Sequence, residues 1–163
     1  MANLYMMCGI PGSGKTTFIK KHLSLCDKYV SRDEIRFALL KDGEEYFSHE
    51  EEVLKIFYKT INDSLKNGYN TFVDATHLSV GSRKNFLSQI TEKYDKLSIL
   101  AFDIPLETAL ERNDKRSGRS FVPKSVIRRM YHQYNIPTYA EGFDKIYKID
   151  KDGYVHILKK EEK

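Results

Sequence analysis

Cysteine is scarce: the 163-residue chain holds only Cys8 and Cys26, which form no Cys-x-x-Cys pair. That excludes a disulfide framework, and both side chains are expected as buried, reduced thiols. Long apolar runs are missing. The longest tract, Leu97 to Leu106, is broken by Asp103 and falls short of the roughly 18 residues of a membrane helix. No basic segment precedes the apolar stretch Leu4 to Ile10, so no secretory signal is expected and the compartment expected is the cytoplasm. Internal repeats and low-complexity linkers are also absent, as is a guanine-specifying Asn-Lys-x-Asp motif. The net charge, +4 from 27 basic and 23 acidic side chains, is too small to indicate a nucleic-acid partner by itself.

With 40% hydrophobic and 31% charged residues, the chain reads as one soluble domain over residues 1–163. Its apolar pattern alternates between strands and helices. Strands are expected at Leu4–Ile10, Lys28–Ser31, Thr71–Val73 and Leu97–Phe102. Helices are expected from Lys15 through Leu23, over Asp33–Leu40, from Glu50 to a stop at Asn67-Gly68, around Phe86–Tyr94, after Pro105 and after Pro123. Ser31 with Glu34, and Ser48 with Glu51, match capping boxes. Lys145–Ile149 and Tyr154–Leu158 flank Asp152-Gly153 as a terminal hairpin, and the Lys160–Lys163 tail is expected to fray. Strands separated by helices predict an α/β fold with a mainly parallel central sheet flanked by helices. In such sheets ligands gather beyond the carboxyl ends of the strands.

Four segments carry chemistry. Gly9 to Thr16 fits the phosphate-cradling pattern Gly-x-x-x-x-Gly-Lys-[Ser/Thr], between an expected strand and an expected helix. The backbone amides of Gly12, Ser13 and Gly14 and the helix N-terminus suit phosphate oxygens; Lys15 suits the β- and γ-phosphates, the Thr16 hydroxyl suits Mg²⁺, and Thr17 suits the α-phosphate. Phe72-Val73-Asp74 reads as a Walker B strand end, Asp74 facing Mg²⁺ or its water. His77 just beyond reads as a loop hydrogen-bonder rather than a base. Asp33 has two readings, a first-turn acid that stabilises its helix dipole or a base that accepts the proton of an attacking hydroxyl. Arg32 and Arg36 flank it and suit an anionic acceptor, Arg36 sharing its helical face at i+3. The fourth segment, Arg112 to Arg119, reads as an arginine-rich lid (about residues 112–122) whose fixed planar donors close over phosphates.

Together the segments resemble the P-loop kinases, and most of all the polynucleotide 5′-hydroxyl kinase family, over nearly the whole chain. The anchors are Gly9–Thr17, Arg32-Asp33-x-x-Arg36, Asp74-x-Thr76, Arg112-Asn113-x-Lys115-Arg116, and Val122-Pro123 followed by Arg129-Met130-Tyr131. The resemblance implies a P-loop kinase fold and an ATP- and Mg²⁺-dependent transfer of the γ-phosphate to the 5′-OH of a DNA or RNA end. It implies Asp33 as general base, Arg36 on the acceptor's phosphate, Arg116 on the transferring phosphate and Arg112 near the nucleotide. Relatives that phosphorylate small hydroxylated molecules share the loop and lid, so a small-molecule acceptor is the alternative. The acidic stretch Glu44–Glu52 is expected near the acceptor side, where it would repel a polyanion.

Overall fold

Strand ends set the plan of the molecule. A computed structural model describes residues 2–118 and 121–161. Six strands form one sheet among these residues: β1 (Leu4–Cys8), β2 (Asp27–Ser31), β3 (Asn70–Asp74), β4 (Leu97–Phe102), β5 (Lys145–Ile149) and β6 (Val155–Ile157), in spatial order β2-β3-β1-β4-β5-β6. The first five run parallel and β6 is antiparallel to β5. Helices α1 (Lys15–Lys20), α2 (Arg32–Leu39), α3 (Glu50–Lys66), α4 (Val80–Ser88), α5 (Leu106–Asp114) and α6 (Lys124–Gln133) supply the crossovers.

The inner strands are apolar without alternation because both sheet faces are covered. On one face Leu4, Met6, Cys8, Val73, Ile99 and Ala101 meet Phe57 and Ile61 of α3 and Phe86 of α4. On the other, Met7, Leu100, Phe102 and Ile149 meet Ile19 of α1. Met6 and Met7 are each fully buried and, being adjacent, belong to opposite faces. A smaller cluster, Ile10, Leu78, Ala109 and Ile127, packs α5 and α6 beside the loop that follows β1.

Several local expectations are corrected. Helix α1 stops at Lys20, and a turn carries the chain on through His22 and Leu23. Ser31 does cap α2 by accepting the Glu34 amide. Ser48 caps nothing: its hydroxyl donates to the Glu45 carbonyl, and the residue before α3 is His49, without a side-chain cap. Helix α4 lies earlier than Phe86–Tyr94, because Ser79 and Ser82 form a reciprocal cap that starts it at Val80. Cys8 is buried and free, but Cys26 is exposed, in the loop that leads into β2. Arg119 of the basic loop, and Glu162 and Lys163 of the tail, lie outside the described residues. Among the described residues no helix is long and apolar enough to cross a membrane.

Candidate active site

Strand order and register bring three chemical segments together. Asp74 at the end of β3 is level with Ser31 at the end of β2 on one side and with Met7 of β1 on the other. The residues just past those ends, Gly9–Thr16, Arg32-Asp33 and Ala75-Thr76, therefore converge. Pro11–Thr16, Arg32-Asp33 and Ala75-Thr76 line one cleft of about 750 Å³, together with Arg36 and Arg116.

The loop after β1 has the shape of a phosphate cradle. Gly12 and Gly14 hold φ of 82° and 91°, which L side chains rarely adopt, and a Cβ on Gly12 would stand 2.5 Å from the Ala109 carbonyl oxygen. The half-buried Lys15 turns its Nζ back onto the carbonyls of Gly9 (2.8 Å) and Ile10 (3.2 Å). Burial pushes its ammonium pKa down, and the carboxylate charges of Asp74 and Asp33 partly offset that. Among the described residues Ser13 Oγ is buried with no hydrogen-bond partner, an orphan that an incoming phosphate oxygen would satisfy. Thr16 Oγ1 donates to Asp74 Oδ2 at 2.9 Å, and Tyr29 OH donates to the same oxygen. Burial, then the Asp74 charge, push the Tyr29 phenol well above the tyrosine range, so it remains a donor. Thr17 lines a second cleft of about 470 Å³ that shares Ser13 and Gly14 with the first.

The Asp33 group lines the same cleft as the cradle. Asp33 Oδ1 accepts from Arg36 Nη1 at 2.5 Å and from Tyr46 OH at 2.6 Å. Arg36 is buried, and its Nε and Nη2 donate to both oxygens of Glu50 at 3.0 and 2.8 Å. Arg32 Nη2 donates to Glu50 Oε1 at 2.5 Å. Burial raises the Glu50 pKa, but hydrogen bonds from Arg36 and Arg32 and their charges outweigh it and hold the carboxyl below the usual glutamate range. Part of the acidic stretch is thus neutralised, Glu50 by two arginines, and Glu44 Oε2 is hydrogen-bonded to His49 Nε2. The cleft wall here is aromatic, formed by Phe37, Tyr46 and Phe47, and Phe121, Val122 and Met130 line the same cleft.

Arg112, in the last turn of α5, and Arg116, just beyond that helix, go to two different places. Arg116 lines the first cleft. Arg112 lines the second, its Nη1 on the Ser13 carbonyl at 3.2 Å and its Nη2 on the Lys151 carbonyl at 2.6 Å. Buried Asn113 grips Val122 through both of that residue's backbone groups, at 2.6 and 3.0 Å, and so pins the base of the loop between α5 and α6.

A family model described as an AAA domain matches residues 4–137, most of the chain. The chain belongs to the AAA domain family. A protein of Autographa californica nuclear polyhedrosis virus, named as a bifunctional polynucleotide kinase/RNA ligase, is 28% identical over 176 residues, covering 94% of this chain and 25% of that protein. A chain of the Pnkp1/Rnl/Hen1 RNA repair complex superposes with a TM-score of 0.70 at 32% identity, covering 81% of this chain and 43% of that one. A Janibacter sugar kinase shares the fold at a TM-score of 0.63 and 18% identity, covering 94% and 87% of the two chains. The chain thus spans a quarter of the viral relative and less than half of the RNA-repair chain.

This P-loop domain holds functional candidates that sequence reading missed. Tyr29, Tyr46 and Glu50 touch Asp74, Asp33 and Arg36 across 45, 13 and 14 residues of chain, and no local motif marks them. The loop after β5, Asp150 to Gly153, forms a wall of the second cleft and was legible only as a turn. His77 is buried, φ 43°, and its ring donates through Nδ1 to the Met7 carbonyl; burial pushes its pKa down to about 4. It is a neutral structural group, as its sequence context suggested.

Proposed function

We propose that this chain is a phosphotransferase that moves the γ-phosphate of ATP, with Mg²⁺, to the 5′-OH of a DNA or RNA end. One observation carries the reading: the phosphate cradle, the Asp33 carboxylate and Arg116 line a single cleft. The polynucleotide kinase named among the relatives supports the acceptor.

In this reading the triphosphate lies on the amides of Gly12, Ser13 and Gly14, and Lys15 exchanges its two loop carbonyls for phosphate oxygens. The base goes into the second cleft, against Arg112 and the loop after β5. Thr16 and Asp74, a hydroxyl and a carboxylate 2.9 Å apart beside the cradle, fit Mg²⁺, which is held by few protein oxygens together with phosphates. When bound, Mg²⁺ neutralises charge on the phosphate oxygens. The acceptor hydroxyl gives its proton to Asp33 as its oxygen bonds to the γ-phosphorus. The bond from that phosphorus to the bridging oxygen breaks and ADP leaves. Lys15 and Arg116 stabilise the charge spread over the transferring group; since the transition state is loose, positioning and electrostatics supply most of the acceleration. Arg36 and Arg32 receive the acceptor's first phosphate beside Glu50.

A sugar acceptor is the second reading, favoured by the sugar-kinase fold neighbour and by the partial neutralisation of Arg32 and Arg36. The cleft wall argues for a nucleoside end: Phe37, Tyr46 and Phe47 offer flat apolar surface to a base and few partners to sugar hydroxyls. Transfer of ³²P from ATP to 5′-OH oligonucleotides, measured beside small alcohols and sugars, decides between them. Lys15→Ala and Asp33→Ala should each abolish transfer, while Asp33→Ala leaves ATP binding intact; near-normal transfer by Asp33→Ala removes the assigned base.

A further inference from the structure

The loop between α2 and α3 delivers one tyrosine to the assigned base. Tyr46 OH lies 2.6 Å from Asp33 Oδ1 and 2.7 Å from Arg36 Nη1. Arg36 carries donors only, so the phenol oxygen accepts from it and the single phenol hydrogen goes to Asp33. Arg36 Nη1 reaches the same Asp33 oxygen at 2.5 Å, which closes a ring of three hydrogen bonds. No hydrogen bond to Oδ2 is found among the described residues. The tyrosine ring is also fixed: it stacks on the Arg36 guanidinium at 4.4 Å and meets the ring edges of Phe37 and Phe47. Burial, then the hydrogen bond to Asp33, push the phenol well above its ordinary pKa, so the donor is not lost at neutral pH.

We infer that Tyr46 is a positioning residue for phosphoryl transfer: by donating to Asp33 Oδ1 it fixes the carboxylate rotamer and leaves Oδ2 as the oxygen that takes the acceptor's proton. The inference rests on the reading of Asp33 as base. Asp33 needs such a brace because its side chain is 62% exposed, and an exposed carboxylate otherwise samples several rotamers. The rotamer matters because a general base must lie within hydrogen-bond reach of the proton it takes.

Tyr46→Phe keeps the ring over Arg36 and deletes only the hydroxyl. Steady-state transfer to a 5′-OH oligonucleotide should show kcat reduced about ten-fold, with acceptor and ATP KM changed less than about two-fold and the melting midpoint unchanged. Tyr46→Leu, which also loses the stack, should add a rise in acceptor KM. Wild-type kcat in Tyr46→Phe alongside an inactive Asp33→Asn overturns this inference alone. Wild-type turnover in Asp33→Asn overturns the base assignment and the inference with it. A Tyr46→Phe effect confined to KM makes the residue a packing element and overturns the positioning role.

Discussion

Glu50→Ala measures how far one carboxylate holds the acceptor half of the cleft. Only 5% of the Arg36 side chain is exposed, and Glu50 accepts from its Nε and Nη2 at 3.0 and 2.8 Å while also accepting from Arg32 at 2.5 Å. Breaking a buried ion pair from one side costs about 3–5 kcal/mol, because the remaining charge keeps its desolvation without its counter-ion. Two features reduce the figure here. The Glu50 side chain is 24% exposed, so water can follow the truncation, and Arg36 Nη1 keeps Asp33 and Tyr46. The expected loss is therefore about 2–3 kcal/mol, just under that range. At about 2–4 °C per kcal/mol for a domain of this size, the melting midpoint should fall by about 4–12 °C. Circular dichroism melts at neutral pH give the measurement. Glu50→Leu/Arg36→Met removes both charges and should recover at least about half of the loss. A single-variant midpoint within about 1 °C of wild type, or a double variant no more stable than the single, refutes the reasoning. The pH dependence has a definite sign. The Glu50 pKa is lower folded than unfolded, so its contribution is present above the ordinary glutamate value of about 4.3 and fades as pH falls through the folded value. The gap between wild type and Glu50→Ala should accordingly stay level between about pH 8 and 5 and narrow below that.

Gly12→Ala puts a methyl 2.5 Å from the Ala109 carbonyl oxygen at a φ of 82°, so the loop must move; ATP affinity by titration calorimetry should fall at least about ten-fold. Native affinity in the Gly12→Ala variant would show that the cradle is not the phosphate site. Asp74→Asn removes a carboxylate that Thr16 and Tyr29 both contact, and should raise the Mg²⁺ concentration for half-maximal transfer without changing acceptor KM. Phe47→Ala deletes a ring that is 67% exposed on the cleft wall, so acceptor KM for an oligonucleotide should rise about five- to ten-fold with little change in stability, the loss of roughly one stacking contact. An unchanged KM would take Phe47 out of the acceptor site.

The amino-acid sequence by itself determined the parts whose chemistry is local. Gly9–Thr16 turns sharply between a strand and a helix, and the short apolar runs of β1 and β4, bounded by turn residues, read as strands covered on both faces. Where the pattern misled, a short-range competitor won. Ser48 found the Glu45 carbonyl instead of a helix amide, and the serine pair at Ser79 and Ser82 started α4 with a reciprocal cap that uses serine where the capping-box pattern has glutamate or glutamine. The tertiary structure decided the partners of the reacting groups. Only the strand order β2-β3-β1 sets Asp33, Asp74 and the cradle side by side, and only the packing of α2 on α3 lays Glu50 against Arg36. The charge balance of the acceptor side was illegible for the same reason. A carboxylate near a basic pair in sequence repels a polyanion or braces its receptor depending on which atoms it reaches, and that distance is fixed by the fold.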